Sequence, residues 1–156
     1  MIVPVDQENL KEAATVHSLA WQESHRSFCT PEFVNLHTPE RQEGYLRSKM
    51  ETGSKVYLLL EDKPVALVSV TENLIEDLYV LPEKQNQGYG TKLLLFAMEK
   101  CTGTPTLWIL ENNLGAKRLY ERMGFSVTGR RNNITDGLDE IELELKEAET
   151  QEHAED

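Results

Sequence analysis

Leu78 to Met98, reading LYVLPEKQNQGYGTKLLLFAM, is the stretch that most narrows what this chain can become. Leu78, Tyr79 and Val80 form a β-type run that stops at Pro82, which has no amide to give a sheet ladder and restricts Leu81 before it. Gln85, Asn86, Gln87, Gly88, Tyr89, Gly90 and Thr91 follow, and a long apolar run over Gly90 to Lys100 then reads as a helix. Two glycines one residue apart at a helix start let backbone N–H groups turn inward with no side chain in the way. The helix terminus adds roughly half a positive charge, so a phosphate or pyrophosphate is the natural occupant. A plain tight turn has the same signature. Leu93 stands where a dinucleotide fingerprint needs its third glycine, and no Gly-Lys-Ser/Thr of a P-loop follows. The anion reading therefore points to a phosphate-bearing cofactor of another kind.

With 156 residues, one domain is expected, over 1–146, and Glu147 to Asp156 (EAETQEHAED) reads as a solvated, disordered acidic tail. No apolar run approaches the length of a membrane span, so a soluble chain with no membrane partner is expected. The opening MIVPVDQENL shows neither a signal nor a transit peptide, and Cys29 and Cys101 have no staple spacing, which favours a reducing cytoplasm. The histidines His17, His25, His37 and His153 form no ligand cluster with the cysteines, and no metal is expected. A formal net charge of −11 argues against nucleic acid as a partner. It is compatible with cationic substrates, although much of the excess lies in the tail.

In chain order, Ile2 to Val5 suits a short strand, and Asp6 is placed to cap a helix carrying Leu10, Ala13, Ala14 and Trp21. Thr30-Pro31-Glu32 and Thr38-Pro39-Glu40 each set a capping hydroxyl before a proline at the first helical position. The second of these helices carries Tyr45, Leu46 and Met50 and ends near Gly53. Lys55 to Glu61 and Val65 to Thr71 are β-rich runs joined by a turn at Asp62, Lys63 and Pro64, and Leu74 to Val80 makes the next antiparallel strand. The helix after Gly90 is apolar nearly all round, as one buried between layers is. Thr106 to Leu110 reads as a buried strand. Asn112 or Asn113 then caps a helix with Ala116, Leu119, Tyr120 and Met123 on one face, closed by Gly124. Phe125 to Thr128 and Glu140 to Leu145 form two last strands with a polar loop between them. The order is that of a mixed α/β sheet with helices on both faces.

Two motifs carry a family resemblance. Gln85-x-x-Gly88-x-Gly90, after the strand LYVLP, resembles the Gln/Arg-x-x-Gly-x-Gly/Ala element of the GNAT superfamily of acyl-CoA-dependent N-acetyltransferases. Asn113-x-x-Ala116-x-x-x-Tyr120-x-x-x-Gly124-Phe125 resembles its second motif, and together the two span Leu74 to Phe125. The resemblance implies a mixed, mostly antiparallel central sheet splayed between strands four and five, with acetyl-CoA in the cleft. It implies that the backbone at Leu78, Tyr79 and Val80 pairs with pantetheine, and that a bulge in that strand aims an N–H at the thioester carbonyl. The pyrophosphate would rest on the amides of Gln85, Asn86, Gln87, Gly88, Tyr89, Gly90 and Thr91. The implied reaction moves an acetyl group from acetyl-CoA to a primary amine, on a small molecule or a peptide; the alternatives are an enzyme acting on protein N-termini and a non-catalytic acyl-CoA-binding module. The resemblance also admits a homodimer.

Individual residues keep two readings. Gln85 either fixes its loop or meets the pyrophosphate through its backbone, and Lys84, Lys92, Lys117 and Arg118 are phosphate candidates or solvated surface. Asn113 is a helix cap, a cofactor contact, or both. Tyr120 is by default a core tyrosine whose hydroxyl has a partner, and by resemblance the acid that protonates the leaving thiolate. Some relatives carry a catalytic glutamate where Leu74 stands here, so Glu76, of the same strand parity, is the candidate base, with Asp77 next. Trp21, Glu23, His25, Phe28 and Tyr45 are candidate linings for the acceptor.

Overall fold

Ile2–Pro4 forms β1, and the Asp6 carboxylate then accepts the Glu8 N–H at 2.8 Å in a turn that leads into α1 (Leu10–His25). Asp6 is thus a turn residue; the cap position belongs to Asn9. Thr30 Oγ1 accepts the Phe33 N–H (3.3 Å) to open α2 (Pro31–Asn35), and Thr38 Oγ1 accepts the Arg41 N–H (3.2 Å) to open α3 (Pro39–Glu51). In both, proline occupies the first turn, where its missing N–H costs nothing. Next come β2 (Lys55–Leu60), β3 (Pro64–Thr71) and β4 (Leu74–Val80), a 3-10 turn at Pro82–Lys84, α4 (Tyr89–Lys100), β5 (Thr106–Leu110), α5 (Leu114–Arg122), β6 (Phe125–Thr135) and β7 (Leu138–Leu145). The computed structural model describes residues 1–146, and the acidic segment 147–156 lies outside the described residues. Among the described residues no helix is long and apolar enough to cross a membrane.

The seven strands form one sheet in the order β1-β2-β3-β4-β5-β7-β6, antiparallel except where β4 meets β5. That parallel pairing covers just Leu74↔Thr106 and Ile75↔Leu107. From Glu76 onward the two strands part, which leaves the backbone edges of both without a neighbour in the middle of the sheet. This is the splay between the fourth and fifth strands that the resemblance implied. α1 and α3 cover one face, where Leu10, Ala13, Val16 and Leu46 pack on Val56, Leu58 and Leu67. On the other face Leu93, Leu94 and Ala97 of α4 and Tyr120 of α5 pack on Val65, Val68, Leu107 and Leu143. Each fully buried leucine contributes roughly 1.5–3 kcal/mol, so the two clusters together fix the sheet between its helical layers.

Three expectations need correction. α4 is not buried all round, because Leu95 is 49% exposed while Leu93 and Leu94 are inaccessible. Pro64 begins β3 instead of ending the turn. The polar segment after Thr128 is not a loop: β6 continues through it to Thr135 and pairs with β7. Its side chains are exposed on both sides, so no apolar alternation marks it. Cross-strand polar contacts hold it instead: Asn133 Nδ2 donates to Asp139 (2.7 Å), and Asn132 Nδ2 donates to Glu140 (3.1 Å).

Candidate functional site

The opening between β4 and β5 continues into a cleft of about 730 Å³, bordered by the strand residues Leu78, Tyr79 and Val80, the turn before α4, and α5. Its turn leaves the N-terminus of α4 open toward the cleft. Asn86 (φ 64°) and Gly88 (φ 90°) both adopt the left-handed region that asparagine and glycine tolerate best. Gly88 sits at the cap position of α4 and supplies no side chain, so the first N–H groups of that helix have no capping partner. A Cβ built on Gly88 meets nothing within 4 Å, consistent with a position that faces open space. Gly90 lies in the first helical turn, where a Cβ would approach Val80 Cγ2 at 3.8 Å. Lys84, Arg118 and Arg122 border the cleft and give it positive charge.

Gln85 donates from Nε2 to the Val80 carbonyl (3.1 Å), which ties the turn to the strand end. Gln85, Asn86, Gly88, Gly90, Thr91, Asn113 and Tyr120 all border the cleft. Gln87 and Tyr89 do not: the Gln87 amide donates to the Glu83 carbonyl (3.2 Å), and the Tyr89 ring packs against the core. Of the cationic candidates, Lys92 and Lys117 also fall outside its border. Arg122 is a lining residue that the sequence reading passed over; its i, i+4 spacing from Arg118 is the signal that marks it. Asn113 Oδ1 accepts the Ala116 N–H (3.1 Å), so it caps α5 and faces the cleft at once.

A second cavity of about 240 Å³ adjoins the first and is walled largely by the diverging strands, with Ile75, Glu76, Asp77, Leu107, Trp108 and Ile109 among its lining. Ser24, Leu78, Tyr79, Asn113, Ala116 and Tyr120 border both cavities. Tyr120 is 8% exposed, yet its hydroxyl has no hydrogen-bond partner among the described residues, and no inaccessible side-chain polar atom among them lacks one. The hydroxyl is therefore open to the cavities. Tyr120 packs in the core as its default reading has it, but among the described residues its hydroxyl lacks the hydrogen-bond partner that reading supplies. Burial pushes its pKa up to about 12, so it keeps its proton at neutral pH.

Glu76 borders the second cavity with its side chain 41% exposed, and Oε1 is held by the Lys49 ammonium, leaving Oε2 without a partner among the described residues. The Asp77 side chain is only 8% exposed and accepts hydrogen bonds from His17 Nε2 (2.9 Å), Tyr45 Oη (3.0 Å), Lys49 Nζ (2.9 Å) and Ser69 Oγ (2.7 Å). Burial by itself raises a carboxyl pKa; the hydrogen bond and charge of His17, followed by those of Lys49, outweigh it and hold Asp77 well below the usual range. An acid so fully engaged is a poor proton acceptor.

Of the residues expected to line the acceptor site, only His25 borders the second cavity. Trp21 is sandwiched between His25 (3.8 Å) and His37 (3.5 Å), Glu23 pairs with Arg26 on the surface, Phe28 packs on His25, and Tyr45 stands behind Asp77. Burial lowers His25 to about 4, and its Nδ1–H donates to the Trp21 carbonyl (2.8 Å), so the ring is neutral with its lone pair on Nε2. Trp108 and Glu140 enter the lining unannounced, because β5 and β7 supply them only once the sheet has opened. Among the described residues no three His, Cys, Asp or Glu side chains gather as a metal site.

The family description "Acetyltransferase (GNAT) domain" matches residues 52–127, the segment that contains β4, the turn and α5. The peptidyl-lysine N-acetyltransferase YjaB of Salmonella typhimurium is 34% identical over 70 residues, 45% of this chain and 48% of that protein. The chain thus matches about half the length of this curated relative. Its fold is similar to that of the PaiA N-acetyltransferase of Thermoplasma acidophilum, crystallised with coenzyme A: TM-score 0.72, 20% identity, 94% of this chain and 98% of that one. It is also similar to YjaB of Escherichia coli in its apo form: TM-score 0.66, 22% identity, 92% of this chain and 95% of that one.

Proposed function

The chain belongs to the GNAT superfamily, and from that premise we propose that it transfers an acetyl group from acetyl-CoA to a primary amine within a ternary complex. The observation that carries this reading is the Tyr120 hydroxyl at the junction of the two cavities, which has no hydrogen-bond partner among the described residues. The uncapped α4 N-terminus, Gly88 and the cations Lys84, Arg118 and Arg122 fit a pyrophosphate-bearing cofactor. When bound, acetyl-CoA supplies an activated acetyl carbon, whose bond to sulfur breaks as its bond to the amine nitrogen forms.

The chain's own groups position the reactants and move the protons. Leu81 N–H donates to the Val65 carbonyl (2.9 Å), so by ladder alternation the N–H of Val80 points away from β3, into the cleft. That N–H stabilises developing charge on the acyl oxygen. Glu76 Oε2 takes the amine proton, directly or through water, and Tyr120 returns a proton to the thiolate. Glu76, Asp77 and Glu140 outnumber the Lys49 ammonium that pairs with the first two, and the remaining negative charge at the second cavity favours a cationic acceptor. A second reading, in which the amine belongs to a peptide lysine, draws on the activity named for the Salmonella relative.

Thermal melts with acetyl-CoA, NAD and ATP, followed by thiol release over a panel of small amines, lysine peptides and peptide N-termini, test the proposal. Ligand at a hundred times its Kd should raise stability by about 2.7 kcal/mol. Stabilisation by NAD or ATP alone refutes the cofactor. Binding of acetyl-CoA without turnover on any amine makes the chain an acyl-CoA-binding module.

A further inference from the structure

β4 carries a bulge that is locked from the side opposite the α4–α5 layer. Its pairing with β3 runs Val70↔Ile75 and Ser69↔Glu76, then resumes as Leu67↔Tyr79 and Ala66↔Val80. Asp77 and Leu78 together therefore face the single residue Val68. Asp77 takes the extra turn at φ 56°, a left-handed conformation that costs an L residue energy unless the surroundings fix it. They do so here. The donors that surround its carboxylate come from three elements: His17 from α1, Tyr45 and Lys49 from α3, and Ser69 from β3. Gln42 on α3 braces the assembly, its amide 2.8 Å from His17 Nδ1. The bulge cannot slide along the strand without breaking contacts to both helices.

The extra residue decides which backbone amide the cleft receives. In an unbulged ladder Ala66 would face Tyr79, Tyr79 would present its N–H away from β3, and Val80 would spend its own on the Val65 carbonyl. A one-residue shift also exchanges the two faces of the strand. With the bulge, Leu78 and Val80 pack on the α4 side and Tyr79 on the α1 side. The N–H of Val80 is then the one left free. We propose that Asp77 is a positioning residue whose buried carboxylate fixes this register, and through it presents the Val80 N–H to the acyl carbonyl of the bound thioester. The inference rests on the reading of the cleft as an acetyl-CoA site.

The test is the infrared carbonyl band of acetyl-CoA labelled with carbon-13 at the thioester, because a hydrogen bond to the carbonyl lowers its stretching frequency. Thermal melts and CoA affinity are measured alongside. The parent should shift the bound band downward from its free position. Asp77→Asn, which tolerates the left-handed angle but cannot oppose Lys49 with a charge, should bind CoA near the parental affinity while its band returns toward the free position. Tyr45→Phe removes one donor from a partly exposed ring and should lose part of the shift; if Asp77→Asn does not fold, this variant decides alone. An unshifted band in the bound parent overturns the proposal. So does a parental band in the folded variants, whatever happens to their stability. Failure of the parent to bind acetyl-CoA instead refutes the function reading, and the affinity measurement reveals it separately.

Discussion

Replacing Tyr120 with phenylalanine removes one oxygen from the junction of the two cavities and leaves the ring's packing on Phe125 in place, at a centroid distance of 6.0 Å. A buried tyrosine hydroxyl that held a hydrogen bond would leave its partner unsatisfied when deleted, at about 1–3 kcal/mol. Tyr120 has no such partner among the described residues, so Tyr120→Phe should melt close to the parent. The rate is different. With its pKa at about 12, the hydroxyl is almost wholly protonated at pH 7 and available to a departing thiolate. Loss of a general acid costs typically 10²–10⁴-fold, or about 3–5 kcal/mol of transition-state stabilisation. Steady-state thiol release with saturating acetyl-CoA and the best amine from the panel reads kcat, and titration calorimetry reads cofactor affinity. The expected result is a fall in kcat with melting temperature and affinity retained, and a smaller deficit at low pH, where solvent can supply the proton. Parental turnover from the folded variant removes Tyr120 from the chemistry; lost stability with unchanged turnover per folded molecule returns it to the core.

Gly88→Val should weaken CoA binding far more than it destabilises the fold. The backbone there sits at φ 90°, which a β-branched residue tolerates poorly, and the new side chain enters the cleft; a folded variant with parental affinity in calorimetry would show the turn to be structural. Glu76→Gln should lower kcat about 10²–10⁴-fold with acetyl-CoA affinity retained, and parental turnover from the folded variant would exclude Glu76 as the base. Acid should destabilise the fold through His25. Its native pKa is lowered by burial from 6.5 to about 4, so the unfolded chain takes up a proton first and stability is lost as the pH falls between those values. At about 1.4 kcal/mol per unit the ceiling is roughly 3 kcal/mol, and partial exposure brings the expected loss to about 1–2 kcal/mol. His37, lowered in the same direction by burial, adds to it. Urea unfolding from pH 7 to 4 should show this loss, and a slope that survives His25→Phe unchanged would assign it elsewhere.

What the sequence determined by itself is what short-range chemistry decides. The Thr30, Thr38 and Asn113 caps bond to amides three residues on, Pro31 and Pro39 set their helix starts locally, and the left-handed turn at Gly88 belongs to the glycine itself. For the same reason the bounds of β4 and β5 and the glycine turn between them were legible, and two such local motifs at the right separation carried the family resemblance and, with it, the splayed sheet. Tertiary structure decided whatever depends on a partner far along the chain. The bulge at Asp77 exists because β3 supplies one residue where β4 supplies two, and its anchor comes from His17, Tyr45 and Lys49, up to 60 positions away. β6 beyond Thr128 has no apolar face to announce it, because its register is set by backbone and polar pairing with β7. The parting of β4 from β5 admits Trp108 and Glu140 to the second cavity and opens the Tyr120 hydroxyl to both. Residue spacing within a helix or strand can say which face a side chain takes. Whether that face meets a packed layer or a gap is set by how far the neighbouring strand runs alongside, and only the assembled sheet fixes that distance.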